Sequence, residues 1–111
     1  YVIQAKNKTL FYATDTPALT DLALTQLKEY NIDCVIMDHT FGNVNYSFSH
    51  LNTNLFLDQL NKMKKLNIIN NTTKIYGTHI SHDGLPYQEL AEKIAFGNGY
   101  PIAYDGLELN L

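Results

Sequence analysis

The sequence predicts an α/β domain, 1–111, built of mostly parallel βα units and ending in a β-hairpin. Three observations carry this expectation. Short β-rich apolar runs alternate with stretches of helical period, the pattern of strands wound with helices around one sheet. Three of those runs, Leu10–Ala13, Val35–Met37 and Ile75–Gly77, pass straight into polar segments rich in Asp, His and Thr. Near the C-terminus, Asp105-Gly106 sits between two further apolar runs, a strong tight-turn signal.

Taken in order, Tyr1–Ala5 and Thr9–Ala13 read as strands joined by the polar turn Lys6-Asn7-Lys8. Pro17–Tyr30 reads as a helix, with Leu19, Leu22, Ala23 and Leu27 on one face, Thr16 as N-cap and Pro17 in the first helical position. Asp33–Met37 is apolar without alternation, which predicts a strand buried on both faces. The connection 38–50 is long for a small domain, and such loops are disproportionately functional. Thr53–Leu66 is the clearest helix, with Leu55, Phe56, Leu60 and Met63 at helical spacing and three lysines near its C-terminus. Lys74–Thr78 reads as a strand and Pro86–Phe96 as a helix whose Leu90, Ala91 and Ile94 face inward, stopped by Gly97-Asn98-Gly99. Ile102–Tyr104 and Leu107–Leu111 form the expected terminal hairpin.

Composition narrows the function. A net charge of -3 argues against a sequence-independent nucleic-acid binder, yet leaves room for phosphodiester chemistry if a metal supplies positive charge. The single cysteine, Cys34, rules out an internal disulfide and a cysteine-based zinc site, and its apolar neighbours predict a buried thiol. No apolar run reaches the length of a membrane span, so no membrane partner is expected and a reducing cytoplasm is the default compartment. The chain opens on Tyr1-Val2-Ile3 with no initiator Met, which reads as though upstream sequence were absent.

Right-handed crossovers would bring the ends of the three strands to one edge of the sheet, where ligands of open α/β sheets bind. That edge would gather Asp15, Asp38, His39, His79 and His82, with His50 in the long loop nearby. Each residue has an ordinary explanation when taken alone: Asp15 as a helix cap, Asp38 in local turn bonds, His39 as a surface or hydrogen-bonded residue. Their joint placement points to chemistry. Imidazole plus carboxylate suits zinc and related divalent ions, and a histidine beside the metals could protonate a leaving group.

At these motifs the sequence resembles the metallo-β-lactamase superfamily, in particular its phosphodiesterase branch of tRNA 3′-processing endonucleases and cyclic phosphodiesterases. The resemblance runs through Tyr12-Ala13-Thr14-Asp15-Thr16, Asp38-His39-Thr40-Phe41, Ser49-His50-Leu51-Asn52, Thr78-His79-Ile80-Ser81-His82 and Ala103-Tyr104-Asp105-Gly106-Leu107. It implies that Asp15 bridges two metals and that His79 is the last histidine ligand of one of them. His50 would contact the scissile phosphate or donate the leaving-group proton. The family offers no matching role as firm for Asp38 and His39, which are candidates to stand behind the ligands and orient an imidazole, and His82 is a candidate for a supporting or structural part rather than a ligand. The cofactor implied is Zn²⁺, two per complete site, with Mn²⁺ or Fe as substitutes.

The family's His-x-His-x-Asp-His signature and its next histidine ligand are not in this sequence. The resemblance therefore implies the C-terminal half of an αββα sandwich, with its N-terminal half absent and a sheet face left for that half, or for a second copy of the chain, to cover. The expected function is a fragment of a metal-dependent phosphodiesterase, inactive by itself. A small cyclic phosphodiester is the first choice of substrate and RNA the second. The alternative is a non-catalytic βα signalling or interaction module such as a receiver domain, though no Lys follows the last parallel strand as receivers require.

Overall fold

The computed structural model describes residues 1–45, 49–82 and 88–111, with side chains of the last helix from Glu92 onward. The described residues form an α/β fold with a four-stranded mixed sheet and three helices. The elements run β1 (Val2–Ala5), β2 (Lys8–Ala13), α1 (Asp21–Leu27), β3 (Cys34–Asp38), α2 (Thr53–Lys65), β4 (Lys74–Thr78) and α3 (Gln88–Gly97). The strands lie in sequential order; β1 pairs antiparallel with β2, while β2–β3 and β3–β4 are parallel.

The β1–β2 hairpin turns on Lys6 and Asn7, both left-handed with φ of 49° and 63°. Two successive positive φ values match the right-handed twist of the flanking strands, which is why Asn suits this place. β3 has a parallel strand on each side, and only Ile36 escapes full burial in it. Cys34 is buried there, and burial pushes its thiol pKa up, as fits a packing thiol.

The register separates the two faces of the sheet. Phe11, Ala13, Val35 and Met37 point to one side and join a cluster with Leu24 and Leu27 of α1, Phe56, Leu60 and Met63 of α2, and Ala95 of α3. The opposite face carries Ile3, Leu10, Tyr12, Ile36 and Tyr76, none of which enters that cluster. Ile3 is 50% exposed and Tyr12 37%. The helices that contribute to the core thus pack on one side only.

Three expectations need correction or bounding. The first helix starts at Asp21, not Pro17, and Thr20 is its cap, accepting from the Ala23 N–H at 3.2 Å. The Thr16 N–H is directed to the Asp38 carboxylate (3.4 Å) and the Leu19 N–H to Gln59 Oε1 (3.0 Å). Those long-range acceptors hold 16–19 outside the helix, overriding the local Thr-Pro signal. The terminal hairpin does not form. The Asp105-Gly106 turn is present, with Gly106 at φ 86° and Leu107 N–H donating to Tyr104 O. However, Ala103 N–H and Pro101 O bond instead to Gly77, making a single parallel bridge beside β4, and 107–111 forms no strand. The Lys74 ammonium donates to Asn110 O, drawing the tail back toward β4. Finally, the expected helix start at Pro86 and the side chains of Leu90 and Ala91 lie outside what the structure describes; Ile94 packs against the core as expected.

Gly77 lies where β4, the 101–103 segment and the loop after β3 converge. A Cβ there would come within 2.8 Å of Ile102 Cδ1 and 3.3 Å of His39 Cβ. Gly77→Ala is expected to cost about 1–3 kcal/mol through overpacking. Denaturant unfolding of the variant checks this, and an unchanged midpoint would show that Ile102 yields freely.

Candidate metal centre

The parallel strands β2, β3 and β4 end together, with Ala13 opposite Met37 and Met37 opposite Gly77. Asp15 therefore leaves the sheet two residues past β2, Asp38 closes β3, and His79 follows β4 directly. His50 reaches the same edge from the loop ahead of α2, whose N-cap Asn52 accepts from the Leu55 N–H at 2.9 Å. Asp15, His50 and His79 each offer a ligand atom, and those atoms all lie within 4.8 Å of one another. Tetrahedral Zn²⁺ with bonds of about 2.0–2.1 Å sets its ligand atoms roughly 3.4 Å apart, so the group needs only a modest contraction to hold one.

Asp38 and Thr40 organise this group. Asp38 is fully buried. Its Oδ1 accepts from the backbone N–H of Leu51 (2.9 Å) and of Thr40 (3.1 Å). Its Oδ2 accepts from the Thr40 hydroxyl (3.0 Å) and from His50 Nδ1 (3.1 Å), and His79 Nδ1 lies 3.4 Å away. Burial penalises the charge of this carboxylate, but the N–H groups of Leu51 and Thr40, the His50 imidazole and the Thr40 hydroxyl outweigh the penalty. They hold its pKa below the ordinary value of 3.8. Asp38 is therefore an anion at neutral pH.

Proton counting then sets both imidazoles. The Thr40 hydroxyl has one proton and donates it to Asp38. Its oxygen is left to accept, and His79 Nδ1 lies 2.7 Å from it and His50 Nδ1 3.2 Å. With the Thr40 proton so placed, both rings donate through Nδ1 and leave Nε2 for a metal, the arrangement by which a carboxylate orients a ligating histidine. His50 Nε2 lies 3.7 Å from Asp15 Oδ1. The two rings stack with centroids 5.4 Å apart, and Phe41 packs its ring edge-on against His50.

Backbone strain falls on the same residues. Asp15 (φ 53°) and His79 (φ 62°) are both left-handed, a region most L-residues avoid and one that clusters at functional sites. Because Thr20 caps α1, helix capping does not explain Asp15, which is 74% exposed at its side chain.

The other expected residues separate. His39 does not touch the imidazoles. It is fully buried on the opposite side of the strand end, its Nε2 2.7 Å from the Tyr100 hydroxyl and its ring edge-on to Phe56. Its described contacts are with Tyr100, Thr53 and Phe56 and not with either ligand ring, so it orients neither ring directly. His82 is exposed and lies outside the donor group. Thr40 carried no role in the sequence reading; its signal was the spacing Asp38-x-Thr40, which in extended chain puts both side chains on one side.

Burial holds the His39 pKa below its ordinary 6.5. The folded protein thus keeps it neutral while the unfolded chain takes up a proton. As pH falls through 6.5 toward the lower folded value, stability should decline, with a slope of at most about 1.4 kcal/mol per pH unit from this group. His39→Gln should flatten that decline in denaturant unfolding between pH 7 and 5; parallel curves for the two proteins would contradict it.

No protein-family model, curated protein or solved structure matches this chain. Among the described residues, no helix is long and apolar enough to cross a membrane.

Proposed function

We propose that the chain supplies part of the divalent-metal centre of a hydrolase, most closely akin to the phosphodiesterases of the metallo-β-lactamase superfamily. The observation that carries this reading is the Asp15–His50–His79 donor group with both imidazoles locked through Nδ1 by Asp38 and Thr40. Two imidazoles and a carboxylate make a zinc-type donor set. When bound, such an ion lowers the pKa of water and offsets charge building on a phosphoryl oxygen.

Asp15 contributes the anionic donor, exposed enough to reach a second ion as well. His79 contributes an imidazole held by Thr40. His50 shares the donor group, and we assign it as a third ligand; the resemblance by itself would make it the proton donor or phosphate contact. Three donors are too few for two tightly held ions. On this reading the remaining ligands come from the N-terminal half that the resemblance implies, and the uncovered sheet face receives that half. A phosphodiester, small and cyclic before RNA, is the substrate proposed, in a cytoplasmic setting.

The sequential strand order disfavours the receiver alternative, whose fold reverses direction as 2-1-3-4-5. The test of the reading is hydrolysis of an aryl phosphodiester by the full-length protein with Zn²⁺ or Mn²⁺, repeated with His50→Ala. Loss of both metal and activity supports the ligand assignment. Retained metal with slowed turnover makes His50 the proton donor, and an inactive wild-type protein with bound metal overturns the phosphodiesterase reading.

A further inference from the structure

His39 stands between the two residues that hold the imidazoles, yet its own ring faces away from them. Successive side chains of an extended segment point to opposite sides. Here Asp38 and Thr40 turn toward His50 and His79, and His39 turns into the core. The segment is still tied to the sheet at this point, with His39 N–H donating to Thr78 O at 2.8 Å and Ser81 N–H donating to Thr40 O at 3.1 Å.

The pocket that receives the His39 ring is built by distant parts of the chain. Tyr100, buried just after α3, lies 2.7 Å from Nε2 through its hydroxyl. Phe56 of α2 packs on the ring at a centroid distance of 5.0 Å, and also on Tyr100 at 4.4 Å. The Thr53 hydroxyl stands 3.5 Å from Nε2 and 2.9 Å from both Gly42 O and Asn43 Oδ1 in the loop after β3, its one proton serving one of those acceptors. The missing side chain at Gly77 makes room for His39, whose Cβ and ring Cδ2 lie 3.3 and 3.5 Å from where a Cβ at Gly77 would stand. His39 Nδ1 is buried and has no partner among the described residues, so the Tyr100 contact is its principal polar tether.

We propose that the His39–Tyr100 hydrogen bond is a latch that positions the Asp38–Thr40 clamp, so that the segment after α3 sets the geometry of the metal-binding imidazoles from behind the strand. His39 and Tyr100 are then positioning residues, and this rests on the metal-centre reading above. Removing the Tyr100 hydroxyl leaves Nε2 of a fully buried imidazole only the long 3.5 Å contact to the Thr53 hydroxyl, and Nδ1 has no partner. Such a group relocates to find one, and Asp38 and Thr40, one residue to either side, move with it.

The experiment compares wild type with Tyr100→Phe by two readouts: Zn²⁺ affinity from chelator competition, and the imidazole ¹H–¹⁵N signals of metal-free His50 and His79. The latch predicts Zn²⁺ affinity lowered about tenfold, the lower end of the effect of removing groups behind a ligand, together with shifted Nδ1–H signals. A lower melting temperature with unchanged affinity and unchanged signals would overturn it, leaving Tyr100 a packing residue. If the wild-type chain binds no Zn²⁺, the metal reading fails by itself, and the metal-free imidazole signals still decide the latch. If Tyr100→Phe does not fold, His39→Gln and His39→Leu replace it. Gln can still bond the Tyr100 hydroxyl and should preserve the imidazole signals, whereas Leu should shift them; equal spectra from the two would overturn the proposal.

Discussion

Replacing Asp38 with alanine is expected to lower the unfolding free energy by about 3–5 kcal/mol, because several donors lose one shared acceptor and each buried group left unsatisfied costs about 1–3 kcal/mol. The carboxylate accepts from Leu51 N–H, Thr40 N–H, the Thr40 hydroxyl and His50, and all of these lose their acceptor together. Leu51 and Thr40 are themselves buried, so water does not readily replace it. Asp38→Asn keeps the shape and one acceptor oxygen, and should cost less. Its amide N–H₂ would face a donor, however, so one imidazole would have to reverse its tautomer. Urea unfolding gives the stabilities, and histidine NMR gives the tautomers. A loss below about 1 kcal/mol for Asp38→Ala would place the variant within the ordinary range of point substitutions and remove Asp38 from the centre of the account.

Asp15→Ala should behave in the opposite way. Asp15 is exposed and sits at φ 53°. Its closest polar neighbour among the interactions described is His50 Nε2 at 3.7 Å. Metal-free stability should therefore stay within about 0.5 kcal/mol of wild type, as for other surface substitutions. Zn²⁺ affinity should fall by at least about 100-fold, since losing a ligand should exceed the 10–100-fold effect of losing a group that supports one. On the phosphodiesterase reading proposed above, hydrolysis of an aryl phosphodiester should disappear with it. Affinity and activity both unchanged in Asp15→Ala would remove Asp15 from the site. The pair of variants separates a residue that builds the site from one that binds in it.

Much of this arrangement was legible in the residues. β4 begins and ends at the residues expected from its pattern, and the polar segments that follow β2, β3 and β4 do share one edge because those strands are parallel. The long connection after β3 drew attention by its length, and it delivers His50. What could not be read locally depends on distant acceptors. Thr16-Pro17 has the chemistry of a helix start, but the carboxylate of Asp38 and the amide of Gln59 take the backbone N–H groups there first. The terminal hairpin failed because Gly77 offers its backbone to Pro101 and Ala103, so the chain pairs sideways with β4 before it can fold back on itself. His39 was misplaced for a different reason. Its neighbours Asp38 and Thr40 face the site, and strand alternation alone would have turned it inward toward Tyr100.

The most direct test of the metal centre is a Zn²⁺ titration of this chain under chelator competition, alongside Asp15→Ala and His79→Ala. The account predicts saturable binding of no more than one ion per chain, lost in both variants. Two tightly bound ions per chain, or binding that survives both substitutions, would contradict it.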